Sequence, residues 1–171
     1  MPESPQAGPP AARGLLFDQI DPGRQFTTGS RTVTQADIDG FAKLSGDFNP
    51  LHTDEAYAAG TVFRSRIAHG LLVQSIASGL AWDLGVFDGT IAALTEMLIG
   101  FQSPVVPGDS VRLELTVVEK DPKPSSRRGW VRFAARVLNQ RDETVIQGSW
   151  TTLMLRKADR RRELTRGAAR G

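Results

Sequence analysis

Gly70-Leu71-Leu72-Val73-Gln74-Ser75-Ile76-Ala77-Ser78-Gly79-Leu80-Ala81-Trp82-Asp83-Leu84 is a long apolar run. Fifteen residues at helical rise make an element about 22 Å long. Its apolar positions go nearly all the way round, the pattern of a buried helix rather than a surface one. Ala77, Ser78 and Gly79 are small, so the run predicts a helix that a sheet approaches closely. The rest of the chain then has to supply that sheet.

The residues that follow supply it. Ile91 to Gln102 reads as a strand, and Pro104, Pro107 and Gly108-Asp109 punctuate what comes next. Val111, Leu113, Leu115 and Val117 alternate with Arg112, Glu114 and Thr116. Val131, Phe133, Ala135 and Val137 alternate with Arg132, Ala134 and Arg136, and Val145 to Leu155 is a further run. Period-two alternation marks antiparallel strands with one packed and one wetter face. Gly108 to Ser110 reads as a hairpin turn, and Asp121 to Gly129 as a long polar connection.

Before the helix, Gln25 to Val33 is rich in Thr and Val and reads as one strand. Thr34-Gln35-Ala36-Asp37 is a capping-box start. Ile38, Phe41, Ala42 and Leu44 recur at helical spacing, and Gly46 ends that helix. Asp54 can cap a short helix, Glu55 to Ala59, that Gly60 ends, and Thr61 to Arg66 is a loop. Strand, helices, then three or four strands is an α+β pattern in which a sheet curls round one apolar helix. Residues 1–14 are expected to be a disordered tail, 15–156 a single domain and 157–171 a basic disordered tail. Leu15, Leu16, Phe17 and Ile20 can pack on the domain edge.

Composition narrows the function. The 171 residues contain no cysteine, which excludes disulfides, thiolate metal sites and cysteine nucleophiles and fits a reducing compartment. No apolar run approaches the ~18 residues of a membrane span. The first residues lack a basic-then-apolar signal pattern, so a cytoplasmic protein is expected. The net charge of +2 hides an asymmetry: residues 156–171 carry seven Lys/Arg against two Asp/Glu, while the remainder is net acidic. A nucleic-acid partner would have to rest on that tail, so none is expected.

Both histidines lie just ahead of the apolar run. Asp47 and His52 stand five residues apart in Ser45-Gly46-Asp47-Phe48-Asn49-Pro50-Leu51-His52, and His69 precedes Gly70. Asp47 falls just past a helix end, and Pro50 pushes Asn49 toward an extended conformation, so a stiff turn holds carboxylate and imidazole. Such a pair can bind one water, the carboxylate orienting it and the imidazole exchanging its proton. Asn49 offers an amide to fix the turn or a ligand. Gly70 puts a free backbone N–H at a helix start, where the helix dipole suits an oxygen that gains negative charge. Asp47, His52 and His69 could in principle bind a metal, but two histidines without cysteine make a poor set, and neither metal nor cofactor is expected. Proton handlers beside an oxyanion site suit addition of water to a C=C conjugated with a carbonyl, or its reverse.

Phe41-Ala42-Lys43-Leu44-Ser45-Gly46-Asp47-Phe48-Asn49-Pro50-Leu51-His52-Thr53-Asp54, with Phe63 and Ile67-Ala68-His69-Gly70, closely resembles the hydratase-2 motif of the MaoC-like, (R)-specific enoyl-CoA hydratases. Phe101 to Asp109 resembles the strand and turn that follow the central helix in that family. The resemblance spans about Phe26 to Leu155. It implies a hot-dog fold, one long helix wrapped by an antiparallel sheet, in a homodimer or higher homo-oligomer. It implies that Asp47 and His52 activate water, that Gly70 supplies the oxyanion-hole amide, that Asn49 fixes the motif and that Ser78 lies near the site. The implied reaction is reversible hydration of a trans-2-enoyl-CoA to the (R)-3-hydroxyacyl-CoA, with addition and protonation from one side.

His69 reads as a structural histidine before a helix start, and Ser78 could instead bond back to the Gln74 carbonyl. Trp82, Phe101 and Trp130 read as core or acyl-pocket wall. Arg64 and Arg66 could meet CoA phosphates or stay solvated. Three other readings compete: a dehydratase of a branched or dicarboxylic 3-hydroxyacyl thioester, a thioesterase of the same fold, and a non-catalytic binding subunit. The complete Asp-x-Asn-Pro-x-His arrangement speaks against the last two.

Overall fold

The computed structural model describes residues 14–157. Most of the two expected tails, 1–13 and 158–171, therefore lies outside the described residues. Gly14 itself donates its N–H to Gly85 O at 2.8 Å.

The order of elements is a 3-10 turn (Phe17–Gln19), β1 (Gln25–Thr27), β2 (Arg31–Thr32), α1 (Gln35–Ser45), α2 (Pro50–Thr53), α3 (Glu55–Ala59), α4 (Gly70–Asp83), β3 (Ile91–Phe101), β4 (Ser110–Lys120), β5 (Arg128–Asn139) and β6 (Thr144–Leu155). One antiparallel sheet runs β1-β4-β5-β6-β3, with β2 also on β4. The sheet lays Val111, Leu113, Leu115, Val117, Val131, Phe133, Val137 and Trp150 into a core that α4 fills with Leu72, Val73, Ile76, Ala77, Leu80 and Ala81. Burying a Leu or Ile side chain fully is worth roughly 1.5–3 kcal/mol, so this face of α4 anchors the helix. The result is α+β and has the hot-dog arrangement.

Five expectations change. The strand over 25–33 is broken in two. Thr28 turns its hydroxyl into the ladder, where it accepts the Leu113 N–H at 2.9 Å, and the next regular pairing begins at Arg31. The apolar character of α4 does not mean burial all round: Leu71 is 59% and Trp82 57% exposed. Gly79 has nothing within 4 Å of a built Cβ, so it faces away from the sheet; Ala77 and Ala81 make the close approach instead. Gly108 to Ser110 is not a hairpin. β3 pairs with β6 and β4 with β5, so residues 102–109 form a crossover between strands that are not neighbours. Its C-terminal end is tied to Val33 by Gly108 N–H to Val33 O and Val33 N–H to Asp109 O, both 2.8 Å, and its start by Gln102 N–H to Val145 O at 2.9 Å. Finally, Leu44 lies on the helical repeat of α1 but on its outer face, 84% exposed, while Ile38 and Ala42 are buried.

Candidate active site

Local chemistry sets the framework. Thr34 Oγ1 accepts the Asp37 N–H at 3.1 Å while the Asp37 carboxylate accepts the Thr34 N–H at 2.8 Å, a reciprocal cap on α1. That N–H, with help from the Thr34 hydroxyl and Arg31, holds the Asp37 carboxyl below the ordinary carboxylate range. Gly46 ends α1 at φ 78°, a left-handed conformation that costs glycine little, and its N–H reaches Ala42 O at 2.9 Å. Asp47 is thereby delivered to solvent at the end of the helix.

The next residues form a helical turn that the sequence did not announce. Asn49 is its N-cap, with Oδ1 accepting the Leu51 N–H at 3.0 Å, and Pro50 occupies the first helical position. The missing N–H of proline is harmless there. Asn49 also donates its N–H to Asp47 Oδ1 at 3.2 Å. One asparagine therefore restrains the carboxylate and starts the turn that carries His52.

His52 is held by the strand-like segment before α4. Its Nδ1 lies 2.8 Å from Ile67 O. A carbonyl only accepts, so Nδ1 carries the proton and Nε2 keeps its lone pair. The Ile67 N–H returns to Leu51 O at 3.1 Å, and the Ala68 N–H goes to Val105 O at 2.7 Å. Residues 67–68 thus strap the turn of His52 to the crossover. Asp47, His52 and His69 each present an oxygen or nitrogen within 4.8 Å of the others. A water with hydrogen bonds of about 2.8 Å to two such atoms closes that gap at a near-tetrahedral angle.

The same three residues are the ones to weigh for a metal. The two imidazole rings lie face to face, centroids 3.8 Å apart and planes 30° apart. Lone pairs of stacked rings run side by side, whereas ligation needs them to converge in the ring planes on one ion. One nitrogen of each ring is also engaged by a carbonyl. The arrangement fits a water better than a metal.

Gly70 opens α4, and among the described residues its N–H has no acceptor. A Cβ there would clash with the Phe101 ring, so the aromatic ring occupies the space of the missing side chain. His52, Phe63, Gly70, Val73, Phe101 and Ile146 line one largely apolar cavity of about 330 Å³, to which Val105 and Val145 also contribute. His52, the helix-start residue Gly70 and an apolar cleft therefore share one space, whereas the exposed Asp47 is not among the residues that line it.

Ser78 is not in that group. It stands two turns along α4 and lines a second cavity of about 160 Å³ with Ala81, Trp82, Leu94 and Trp150. The back-bond considered for Ser78 is made by Ser75, whose hydroxyl donates to Leu71 O at 2.8 Å. Of the three aromatics read as core or pocket wall, Phe101 walls the first cavity and Trp82 the second, both largely exposed, and Trp130 is half-buried. Arg66 is drawn into ion pairs with Glu55 (3.2 Å) and Asp39 (3.4 Å), whereas Arg64 sits exposed at φ 62°. The Ile67 carbonyl, which sets the tautomer of His52, escaped sequence reasoning because a main-chain atom has no letter. Phe63 was quoted with the motif but given no place in a cavity wall, and the Val145–Ile146 wall was silent.

Comparison with known proteins places the chain in a family. The family described as MaoC like domain matches residues 18–136. A protein MaoC of Klebsiella aerogenes is 41% identical over 107 residues, 63% of this chain; the match spans only 32% of that protein. An (R)-specific enoyl-CoA hydratase of Rhodospirillum rubrum is 35% identical over 133 residues, covering 76% of this chain and 90% of the relative. Among solved structures, the R-hydratase PhaJ1 of Pseudomonas aeruginosa superposes with a TM-score of 0.70 at 34% identity, covering 83% of this chain and 86% of that one.

Proposed function

Because the chain belongs to the MaoC-like domain family, we propose that it is a hydro-lyase that reversibly hydrates trans-2-enoyl-CoA to (R)-3-hydroxyacyl-CoA. The observation that carries the reading is the bond from His52 Nδ1–H to Ile67 O, because it engages one ring nitrogen and leaves Nε2 for proton exchange, in a ring that has a nitrogen within 4.8 Å of an Asp47 carboxylate oxygen. The named relatives lend the substrate class.

The chemistry follows from the geometry. The thioester oxygen is received by the Gly70 N–H at the positive end of α4, which polarises the conjugated C=C. Asp47 and His52 bind a water. As its oxygen attacks C3, one proton passes to the pair, and a proton is returned to C2. Negative charge gathers on the thioester oxygen in between, where the N–H awaits it. Water is delivered and protonation occurs from the side of the pair, so same-face addition is expected. Dehydration is the same path in reverse, which keeps a branched or dicarboxylic 3-hydroxyacyl thioester as a second substrate reading. Asn49 holds the pair in register. Ser78 is assigned a contact farther along α4, beyond the first cavity.

The active form is proposed to be a homodimer. β3 forms one edge of the sheet, with Leu98 67% and Leu94 41% exposed, and Leu94 shares the second cavity with the exposed Trp82 of α4. An open, apolar edge of this kind invites pairing with another strand. No described helix is long and apolar enough to cross a membrane. The absence of cysteine is consistent with a place in the cytoplasm.

The test is hydration of enoyl-CoA esters followed at the enoyl absorbance, with the chirality of the product determined. Inactivity of the wild type on short, medium and branched enoyl-CoAs sinks the reading.

A further inference from the structure

His69 contributes no atom to the chemistry described above, yet it is 3% exposed and contacts both Asp47 and His52. Its Nε2 lies 2.9 Å from Asp47 O, across 22 residues of chain, so Nε2 carries a proton and donates it to that carbonyl. Its ring stacks on His52, centroids 3.8 Å apart, and Phe41 flanks it at 5.0 Å. It is also the N-cap residue of α4, one peptide before the Gly70 N–H.

The other nitrogen makes the arrangement informative. His69 Nδ1 is buried without a hydrogen-bond partner. A ring whose only role was to fill space would be better replaced by an apolar one, since a bare buried polar atom is costly. What the imidazole adds over a phenyl ring is the single donated bond to Asp47 O.

From these contacts we infer that His69 is a positioning residue: its Nε2–H sets the main chain of Asp47, and its ring face sets the plane of His52, so that carboxylate, base and helix-start N–H are held in one frame. The inference rests on the hydratase reading for its kinetic effect but not for its geometry. It extends the role of His69 beyond the structural part that its place before a helix suggests.

Substitutions separate the donated bond from simple packing. The side-chain amide nitrogen of glutamine is as many bonds from Cα as His69 Nε2, whereas that of asparagine matches Nδ1. His69→Asn and His69→Phe are expected to lower kcat about a hundredfold with KM changed little, the scale of a small misplacement of catalytic groups. His69→Gln should recover most of that loss. Equal activity of all three variants and wild type overturns the inference. So does equal loss in Gln, Asn and Phe variants, or a loss carried by KM. A readout independent of activity is ¹⁵N NMR of the wild type, whose only imidazoles are His52 and His69. His69 is expected as the Nε2–H tautomer and His52 as the Nδ1–H tautomer. Finding the Nδ1–H tautomer at His69 overturns the inference, while an inactive wild type with the expected tautomers overturns only the hydratase reading.

Discussion

His52 and Ile67 are joined side chain to main chain: the imidazole donates from Nδ1 to the Ile67 carbonyl at 2.8 Å, across 15 residues. The bond converts an imidazole with two equivalent options into one whose Nε2 is left for proton exchange, in a residue that lines the cleft. His52→Gln and Asp47→Asn are therefore each expected to cost about 10²- to 10⁴-fold in kcat on an enoyl-CoA, the usual contribution of a positioned proton-transfer group. Near-normal rates in both variants remove the proposed roles, even if the wild type is active.

Gly70 and Phe101 compete for one volume. Gly70→Ala drives a methyl carbon into the Phe101 ring while leaving the N–H in the chain. The ring must swing away, and with it a wall of the cavity. A fall in kcat of about tenfold to a hundredfold is expected, short of losing an oxyanion donor outright. Because the cause is steric, the Gly70→Ala/Phe101→Ala double variant should be less impaired than the sum of the two single changes. Strict additivity in a double-mutant cycle would count against this account.

Asn49 has two tasks that a single change divides. Asn49→Ala removes the cap of α2 and should lower stability by about 1 kcal/mol in urea unfolding. Asn49→Asp keeps an accepting oxygen for the Leu51 N–H and should retain most of that stability. If Asn49→Ala unfolds with the wild-type midpoint, the asparagine does not set the turn.

The cap on α1 carries a pH signature. The Thr34 N–H, first among its causes, holds the folded pKa of Asp37 below the unfolded one. Its stabilisation is then complete above the unfolded carboxylate pKa and is lost as pH falls through the folded value. Asp37→Ala should cost about 1 kcal/mol at neutral pH, and the gap to wild type should close in acid. A gap that widens on acidification contradicts the sign of the shift.

The dimer has its own handle at the sheet edge. Leu98→Lys puts a charge on β3, the device that blunts exposed strands in monomeric proteins. Sedimentation velocity should give a dimer for wild type and a monomer, or a much weaker dimer, for the variant. A wild type that sediments as a monomer at micromolar concentration removes the dimer proposal.

What could be read in advance was what local chemistry encodes. Thr34 with Asp37, Gly46, and Asp54 before Glu55 mark helix ends through bonds made within a few residues, and these ends are where the structure has them. The alternation in 111–117 and 131–137 gave the strands, because side chains of a half-buried sheet must alternate. Strand order was not legible, since pairing β3 with β6 rather than β4 is settled by distant partners, and Gly108 to Ser110, at the end of the crossover, passed for a hairpin turn. Thr28 looked like any strand threonine because its insertion into the ladder depends on Leu113. In the site, Asp47, Asn49, His52 and Gly70 could be named from residue type and spacing. The Ile67 carbonyl that orients the base could not, and neither could the distance along α4 that sets Ser78 in a second cavity.

Phe101 is the last residue of β3, and its ring lies against the residue that opens α4. A strand bonded on one flank alone flexes more readily than one bonded on both. Whatever docks along the free flank of β3 therefore damps the ring at its tip, and with it the wall beside the Gly70 N–H. Turnover per chain would then vary with protein concentration, falling on dilution although every catalytic group belongs to the same chain. In such an enzyme, assembly serves as a throttle as well as a scaffold.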